Sequence, residues 1–91
     1  RKSAKADESY VSSLYAKGLD EILKKIGEES AEVIMAAKDG EQDKIIYEVA
    51  DLWFHTLVLL RHKDIEVDKI QDELSSRFGL SGLTEKANRT N

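Results

Sequence analysis

Five acidic side chains stand on two consecutive helical stretches, at spacings that would bring four of them together. Glu28, Glu29 and Glu32 belong to the first stretch, and Glu48 and Asp51 belong to the second. Positions three or four apart share one face of an α-helix, so Glu29 lies beside Glu32. Glu48 lies beside Asp51 for the same reason. If the two helices fold back on each other, four carboxylates meet, and the pattern predicts a bound divalent cation or a cationic partner that offsets their repulsion.

The second stretch makes this prediction sharper. Residues 45–60 read IIYEVADLWFHTLVLL, which is apolar nearly all the way round a helix and predicts a helix buried in a core. One polar stripe interrupts it, formed by Glu48, Asp51 and His55. Buried carboxylates are rare unless they are paired or bound to metal. The alternative is a solvated stripe on a helix near the surface.

The acids of the first stretch have an ordinary explanation as well. They lie well round from its apolar face, and charges opposite an apolar face are common. That apolar face comprises Ile22, Leu23, Ile26, Ser30, Val33, Ile34 and Ala37. The residues alone leave metal ligation and solvated charge both open here.

The elements that must position these acids are predicted to be helices throughout. Proline is absent and the glycines stand at junctions between periodic segments, which favours an all-α chain. Residues 1–8 are predicted to be a poorly ordered lead-in, with Ser9 capping a first short helix that Gly18 ends. The remaining helices are predicted over residues 19–38, from 41 or 42 to 63, and from about 67 to 78. The short turn at Asp39-Gly40 predicts antiparallel neighbours.

Composition limits the possible functions. A chain of 91 residues with 41% hydrophobic content predicts one small domain with a modest core, for which oligomerisation is a natural expectation. There is no cysteine and therefore no thiolate metal site. We expect no membrane span and no signal peptide. The net charge of -4 and the lack of a basic cluster argue against a nucleic-acid partner.

Four ordered segments carry a resemblance to a known family. They read SYVSSLYAKG at 9–18, KKIGEESAEV at 24–33, EVADLWFHTLVLL at 48–60 and RFGLSGLTEKANR at 77–89. The EESAE and EVAD motifs within them resemble the signature of the all-α, MazG-like nucleoside triphosphate pyrophosphatase superfamily. Within it, the chain is most similar to the phosphoribosyl-ATP pyrophosphatases of histidine biosynthesis.

The resemblance implies a small helical bundle that works as a cytoplasmic homo-oligomer, a homodimer or larger. It implies hydrolysis of phosphoribosyl-ATP to phosphoribosyl-AMP and pyrophosphate, dependent on Mg²⁺, with Mn²⁺ as a possible substitute. Mg²⁺ prefers oxygen ligands and keeps part of its water, which suits carboxylates together with substrate phosphates. It would bridge the phosphates, neutralise developing charge and lower the pKa of the attacking water.

Residue roles follow as hypotheses. The metal is assigned to Glu29, Glu32, Glu48 and Asp51, and these four together with Glu28 form the catalytic set. Glu28 is a further ligand or orients water. His55 either holds a ligand in place or is purely structural. The candidate substrate-binding residues, each with surface charge or a turn as its alternative, are Lys17, Gly18, Lys25, Arg77, Lys86 and Arg89.

Several side chains have plain structural alternatives. Lys25 could instead be a solvated partner of Glu29 one turn away. Trp53 and Phe54 are assigned to the core, although an aromatic ring near the site could stack on adenine.

Two departures from the family pattern qualify the likeness. Members usually carry another helix ahead of the segment that begins here at Arg1, so we expect a truncated N-terminus. Where members often have a basic residue just before Ile22, this chain has Glu21, and no phosphate contact is transferred there. The family also includes fusions to a cyclohydrolase, and the sequence does not show whether this chain comes from one.

Three other functions fit parts of the pattern. A house-cleaning pyrophosphatase for ordinary or damaged nucleoside triphosphates would use the same metal site. A di-iron carboxylate bundle requires Glu-x-x-His on two helices, whereas His55 lies four residues beyond Asp51, so we discount it. A non-catalytic helical interaction module would tolerate loss of Glu32 or Asp51.

Overall fold

The chain is all-α, as predicted. A computed structural model describes residues 4–79, and within that range it contains helices and no strand. The helices are α1 (Ala4–Lys17), α2 (Leu19–Asp39), α3 (Gln42–His62) and α4 (Val67–Arg77). None of them combines the length and the apolar character needed to cross a bilayer. Lys86 and Arg89 lie outside the described residues.

Helices α2 and α3 form an antiparallel hairpin, and their bounds confirm the prediction to within a residue or two. Gly40 ends α2 in the left-handed conformation, with φ of 87°, and its N–H donates to the Ala36 carbonyl at 3.0 Å. A side chain at such a φ is strained, so glycine suits this turn. Only Gly40 and Glu41 separate the two helices, which places the second half of α2 beside the first half of α3.

Helix α1 begins earlier than the sequence predicts. It starts at Ala4, so the prediction that Ser9 caps its beginning was wrong. Alanine, lysine and glutamate favour helix even where no apolar period marks it, and they make up much of this stretch. Gly18, with φ of 93°, ends α1 and turns the chain so that α1 packs against α2.

One residue from each of the first three helices forms the centre of the core. Leu14, Ile22 and Val58 are buried and in contact, with exposures of 2%, 0% and 5%. Partly buried side chains surround them, namely Tyr10, Val11, Tyr15, Ile26, Phe54 and Leu59. The core therefore lies where α1 crosses the hairpin of α2 and α3.

Helix α3 is not buried all round, and that prediction was wrong. Of its residues only His55 and Val58 are buried, while Tyr47 and Trp53 are 66% and 67% exposed. Phe54 does pack against the core, but the assignment of Trp53 to the core was wrong. A helix that is apolar on every side needs neighbours on every side. The described part of this chain supplies neighbours on one side only.

The buried face of α2 also differs from the predicted one. Its buried residues are Ile22, Glu29 and Ala36, which follow one another at intervals of seven. Ile34, which was predicted to face the core, is 64% exposed. A seven-residue interval keeps side chains on the seam between two packed helices. Glu29 therefore lies within the packed face of α2 rather than opposite it.

Two glycines of this hairpin should respond oppositely to alanine. Gly27 lies inside α2 rather than at a junction, and an added Cβ there would meet no atom within 4 Å. Gly27→Ala should raise the free energy of unfolding by about 0.5–1 kcal/mol, since alanine loses less backbone entropy in a helix. Gly40→Ala should lower the free energy of unfolding by about 1 kcal/mol or more, because of its positive φ. Urea denaturation of both variants measures this, and equal shifts would contradict it.

Candidate metal centre

Three carboxylates converge at the seam between α2 and α3. Glu29 comes from α2, and Glu48 and Asp51 come from successive turns of α3. One carboxylate oxygen from each lies within 4.8 Å of the other two. Glu29 is 8% exposed, and the two acids of α3 are half-buried. The hairpin brings them together because Glu29 precedes the turn by about as many residues as Asp51 follows it.

The donor set fits a hard divalent cation. Oxygens bound to one octahedral Mg²⁺ stand about 2.1 Å from the ion and hence about 3–4 Å from each other. The three carboxylate oxygens lie within 4.8 Å of one another, so small side-chain movements would bring them to that range. Carboxylates are the protein ligands that Mg²⁺ and Mn²⁺ prefer, and the group contains no nitrogen or sulfur donor that would favour softer metals. The trio Glu29, Glu48 and Asp51 is called the acidic trio below.

Without a cation, the acidic trio relieves part of its repulsion by holding a proton. The pKa of Glu29 is raised to about 7 by burial, by a hydrogen bond with Asp51, and by the negative charge of Asp51. The charge of Glu48 raises it further, and Lys25 opposes the rise. A protonated carboxyl can donate to a neighbouring carboxylate. The Glu29 carboxyl therefore keeps its proton to a higher pH than an ordinary glutamate does.

His55 lies directly beneath the trio and is almost fully buried, at 3% exposure. Its Nδ1 is 2.8 Å from the carbonyl oxygen of Asp51 and 3.7 Å from Oδ1 of the same residue. Its Nε2 is 2.7 Å from the hydroxyl of Tyr10 on α1. Because a carbonyl oxygen only accepts, Nδ1 carries the hydrogen. In the neutral ring Nε2 therefore accepts from Tyr10.

Tyr10 is the residue near the site that sequence reasoning missed. It appeared only inside the first family-like segment, and no periodicity links it to a helix that lies 45 residues further along. Its ring stacks on Phe54 and meets His55 edge-on, with centroids 6.1 and 5.7 Å apart. Burial raises the pKa of Tyr10, and the negative charges of Asp51 and Glu29 add to the rise while Lys25 opposes it. Tyr10 is therefore within electrostatic range of the trio.

The other two predicted acids are not in this group. Glu28 and Glu32 are exposed on α2, and neither joins the close set of oxygens found within residues 4–79. Glu28 instead pairs with Lys25, whose Nζ is 3.3 Å from its Oε1. Glu28 is adjacent to Glu29 and therefore points about 100° round the helix from it. Glu32 lies one turn further along α2, where its side chain is exposed. The structure brings three of the predicted acids together.

The predicted cationic residues occupy separate places. Lys25 is half-buried beside the trio, and its partner is Glu28 rather than the Glu29 considered from sequence. Burial lowers the pKa of Lys25, but its hydrogen bond with Glu28 and nearby negative charges outweigh that and leave the pKa raised. Lys17 is exposed at the end of α1, next to Gly18. Arg77 is exposed on α4, where its Nε donates to Glu73 at 2.9 Å.

Comparison with known proteins identifies the family to which the chain is similar. A sequence model of the phosphoribosyl-ATP pyrophosphohydrolase family matches residues 1–78. A phosphoribosyl-ATP pyrophosphatase of Vesicomyosocius okutanii is 80% identical over 91 residues, which is all of this chain and 87% of that protein. One from Ruthia magnifica is equally similar over the same extent. One from Neisseria gonorrhoeae is 59% identical over 99% of this chain and 84% of its own length. The chain belongs to the phosphoribosyl-ATP pyrophosphohydrolase family.

Proposed function

We propose that this protein hydrolyses phosphoribosyl-ATP to phosphoribosyl-AMP and pyrophosphate, a step of histidine biosynthesis, with Mg²⁺ held by the acidic trio. The observation that carries the proposal is the convergence of three carboxylates from two helices, one of them buried. The relatives that share most of this chain's length bear the name of that activity. Mn²⁺ has the same oxygen preference and is the natural substitute.

The charges of the site explain why such an enzyme would need a cation. A triphosphate is polyanionic, and three carboxylates would repel it. A divalent ion held by Glu29, Glu48 and Asp51 would supply the opposite charge for the phosphates and would lower the pKa of attacking water. Glu28 and Glu32 lie within a turn of Glu29 on α2, and we assign them to the edge of the site, as further ligands or in orienting water.

Cationic side chains would complete the substrate site. Lys25 is the best placed, because it is half-buried next to Glu28 and within electrostatic range of Glu29. We propose that it contacts a substrate phosphate. Lys17 and Gly18 at the junction of α1 and α2, and Arg77 on α4, are proposed as contacts for the phosphoribose end. Lys86 and Arg89 are likewise proposed as contacts for the phosphoribose end.

We further propose that the protein is a homo-oligomer, a homodimer or larger, in the cytoplasm, where ATP-derived substrates are made. Large apolar side chains cover much of the outer face of α2 and α3 and one face of α4. They are Leu23, Ile34, Met35, Ile46, Tyr47, Trp53, Leu57, Val67, Ile70, Leu74 and Phe78. Many exposed large apolar side chains on so small a domain favour a protein interface. A chain this small also gains stability from assembly.

The acidic trio should be essential for hydrolysis. With phosphoribosyl-ATP and Mg²⁺, Asp51→Asn and Glu29→Gln should each lower the rate of pyrophosphate release at least about a hundredfold, since even residues that only orient metal ligands commonly cost 10–100-fold. Asp43→Asn is the matched control, because Asp43 is an exposed acid in the first turn of α3. It should hydrolyse at the wild-type rate.

The same assay identifies the preferred substrate. ATP and deoxynucleoside triphosphates should be hydrolysed much more slowly than phosphoribosyl-ATP. Equal rates would point to the house-cleaning pyrophosphatase instead. Full activity in folded Asp51→Asn would exclude the acidic trio as the catalytic site.

Glu29 should make the metal-free protein less stable as pH rises. Its carboxyl has an ordinary pKa of 4.5 when unfolded and of about 7 when folded. Between these values the folded state keeps a proton that the unfolded state has lost, so the free energy of unfolding falls from about pH 4.5 to about pH 7. Glu29→Gln should remove this fall. Denaturation of both proteins in EDTA at pH 5 and pH 8 measures the difference.

Magnesium supplies the control for that experiment. At pH 8 it should stabilise the wild type, because a ligand of the folded state alone raises stability. It should stabilise Glu29→Gln much less. Parallel pH profiles for the two proteins in EDTA would show that Glu29 titrates normally.

Trp53 should be important for assembly. Its side chain is 67% exposed on α3, within the apolar surface described above. The wild type should show a mass above the 10.3 kDa of one chain in light scattering after gel filtration. Trp53→Glu should lower that mass toward one chain, because a buried unpaired charge opposes association. Lys38→Glu, an exposed change near the end of α2, is the control. A monomeric wild type would refute the oligomer.

A further inference from the structure

The contact between Tyr10 and His55 connects α1 to the acidic trio. Tyr10 is on α1, and its hydroxyl lies 2.7 Å from Nε2 of His55 on α3. The other nitrogen of that ring faces Asp51, a member of the trio. An unbroken chain of hydrogen bonds thus runs from the first helix to a carboxylate-bearing residue of the site.

Each end of this chain of hydrogen bonds determines which nitrogen of the His55 ring carries the hydrogen. The Asp51 carbonyl requires a donor at Nδ1, and the Tyr10 hydroxyl can donate to an unprotonated Nε2. Both contacts therefore favour the same neutral tautomer. Its Nδ1–H donates to the backbone carbonyl of Asp51, and the Nδ1 atom lies 3.7 Å from Oδ1 of the same residue. The ring is also held from the side, since Phe54 meets it edge-on with centroids 5.2 Å apart.

A ring held in this way can keep a neighbouring ligand in place. Hydrogen bonds around a metal site fix the orientation of the residues that bind the metal, and their loss typically costs 10–100-fold in affinity. His55 donates to the backbone carbonyl of Asp51, and its ring stands beside the carboxylate of that residue, so the ring limits the space into which the carboxylate can rotate. The opposing explanation is that Tyr10 and His55 merely satisfy each other within the core.

We propose that Tyr10 and His55 are a positioning pair: the Tyr10 hydroxyl keeps the hydrogen of His55 on Nδ1, and that N–H holds Asp51 oriented toward the divalent cation. Neither residue touches substrate or cation. The proposal rests on the metal-dependent function above. It makes α1 one of the helices that contribute a residue to the site. Docking of α1 onto the hairpin then affects metal affinity as well as stability.

The test uses Mn²⁺ bound to the full chain in the absence of substrate, with free Mn²⁺ measured by electron paramagnetic resonance. Tyr10→Phe keeps the aromatic ring and removes the hydroxyl, and it should weaken Mn²⁺ binding about tenfold. Tyr15→Phe is the matched control. Tyr15 is on the same helix, but its ring stacks on His62 at 5.9 Å instead of on His55. It should bind Mn²⁺ with wild-type affinity.

Two substitutions of His55 distinguish the roles of its two ring nitrogens. The amide nitrogen of asparagine can occupy the place of Nδ1, whereas that of glutamine can occupy the place of Nε2. His55→Asn should therefore keep Mn²⁺ affinity within about threefold of wild type, and His55→Gln should lose tenfold or more. In the His55→Gln background, Tyr10→Phe should have no further effect, because both residues act through one chain of hydrogen bonds.

The tautomer gives a readout independent of affinity. Long-range proton–nitrogen spectra of the His55 ring should show hydrogen on Nδ1 in the wild type and a growing share on Nε2 in Tyr10→Phe. Folded Tyr10→Phe and His55→Gln that bind Mn²⁺ like the wild type would overturn the proposal, as would additive effects in the double variant. If the wild type binds Mn²⁺ but releases no pyrophosphate from phosphoribosyl-ATP, the proposed function fails while the positioning pair is still judged on Mn²⁺ affinity.

Discussion

The crowding of three carboxylates in the seam between two packed helices is the constraint on which the site depends. Glu29 occupies a position in α2 where Ile22 and Ala36, one interval of seven away on either side, are buried apolar residues. A carboxyl in such a place opposes folding unless it is protonated or neutralised. Its raised pKa of about 7 reflects that conflict. The site is thus a local defect in the packing of the hairpin, and the proposed cation would remove the defect.

The remaining helices make this defect tolerable. Leu14, Ile22 and Val58 place the apolar centre of the molecule beside the acidic trio, so α1 closes one side of the hairpin. Tyr10 and His55 form the polar boundary between that centre and the acids. No buried side-chain nitrogen or oxygen in the described range lacks a hydrogen-bond partner. Burial of the acids is therefore matched by a satisfied layer beneath them.

The bundle is thin, and its thinness has consequences for assembly. Its core is formed by three helices, since α4 has no buried residue. The side chains of α3 are apolar on more sides than the other helices of one chain can cover. The feature that suggests a buried helix in the sequence is thus present on the surface of the folded chain. A second copy of the chain would cover the surface that α1 leaves open.

From the sequence alone came the helical class, the bounds of α2 and α3 to within a residue or two, and the turn at Gly40. Helical period, glycine and proline placement are local properties, and local properties are readable from neighbouring residues. The pairing of Glu48 with Asp51 is of the same kind. Tertiary structure alone decided that Glu29 enters the seam while Glu28 and Glu32 stay exposed, that Trp53 faces outward, and that Tyr10 reaches His55. These outcomes depend on which face each helix turns to its neighbours. That choice is made by packing between residues far apart in the chain, and no single helix encodes it.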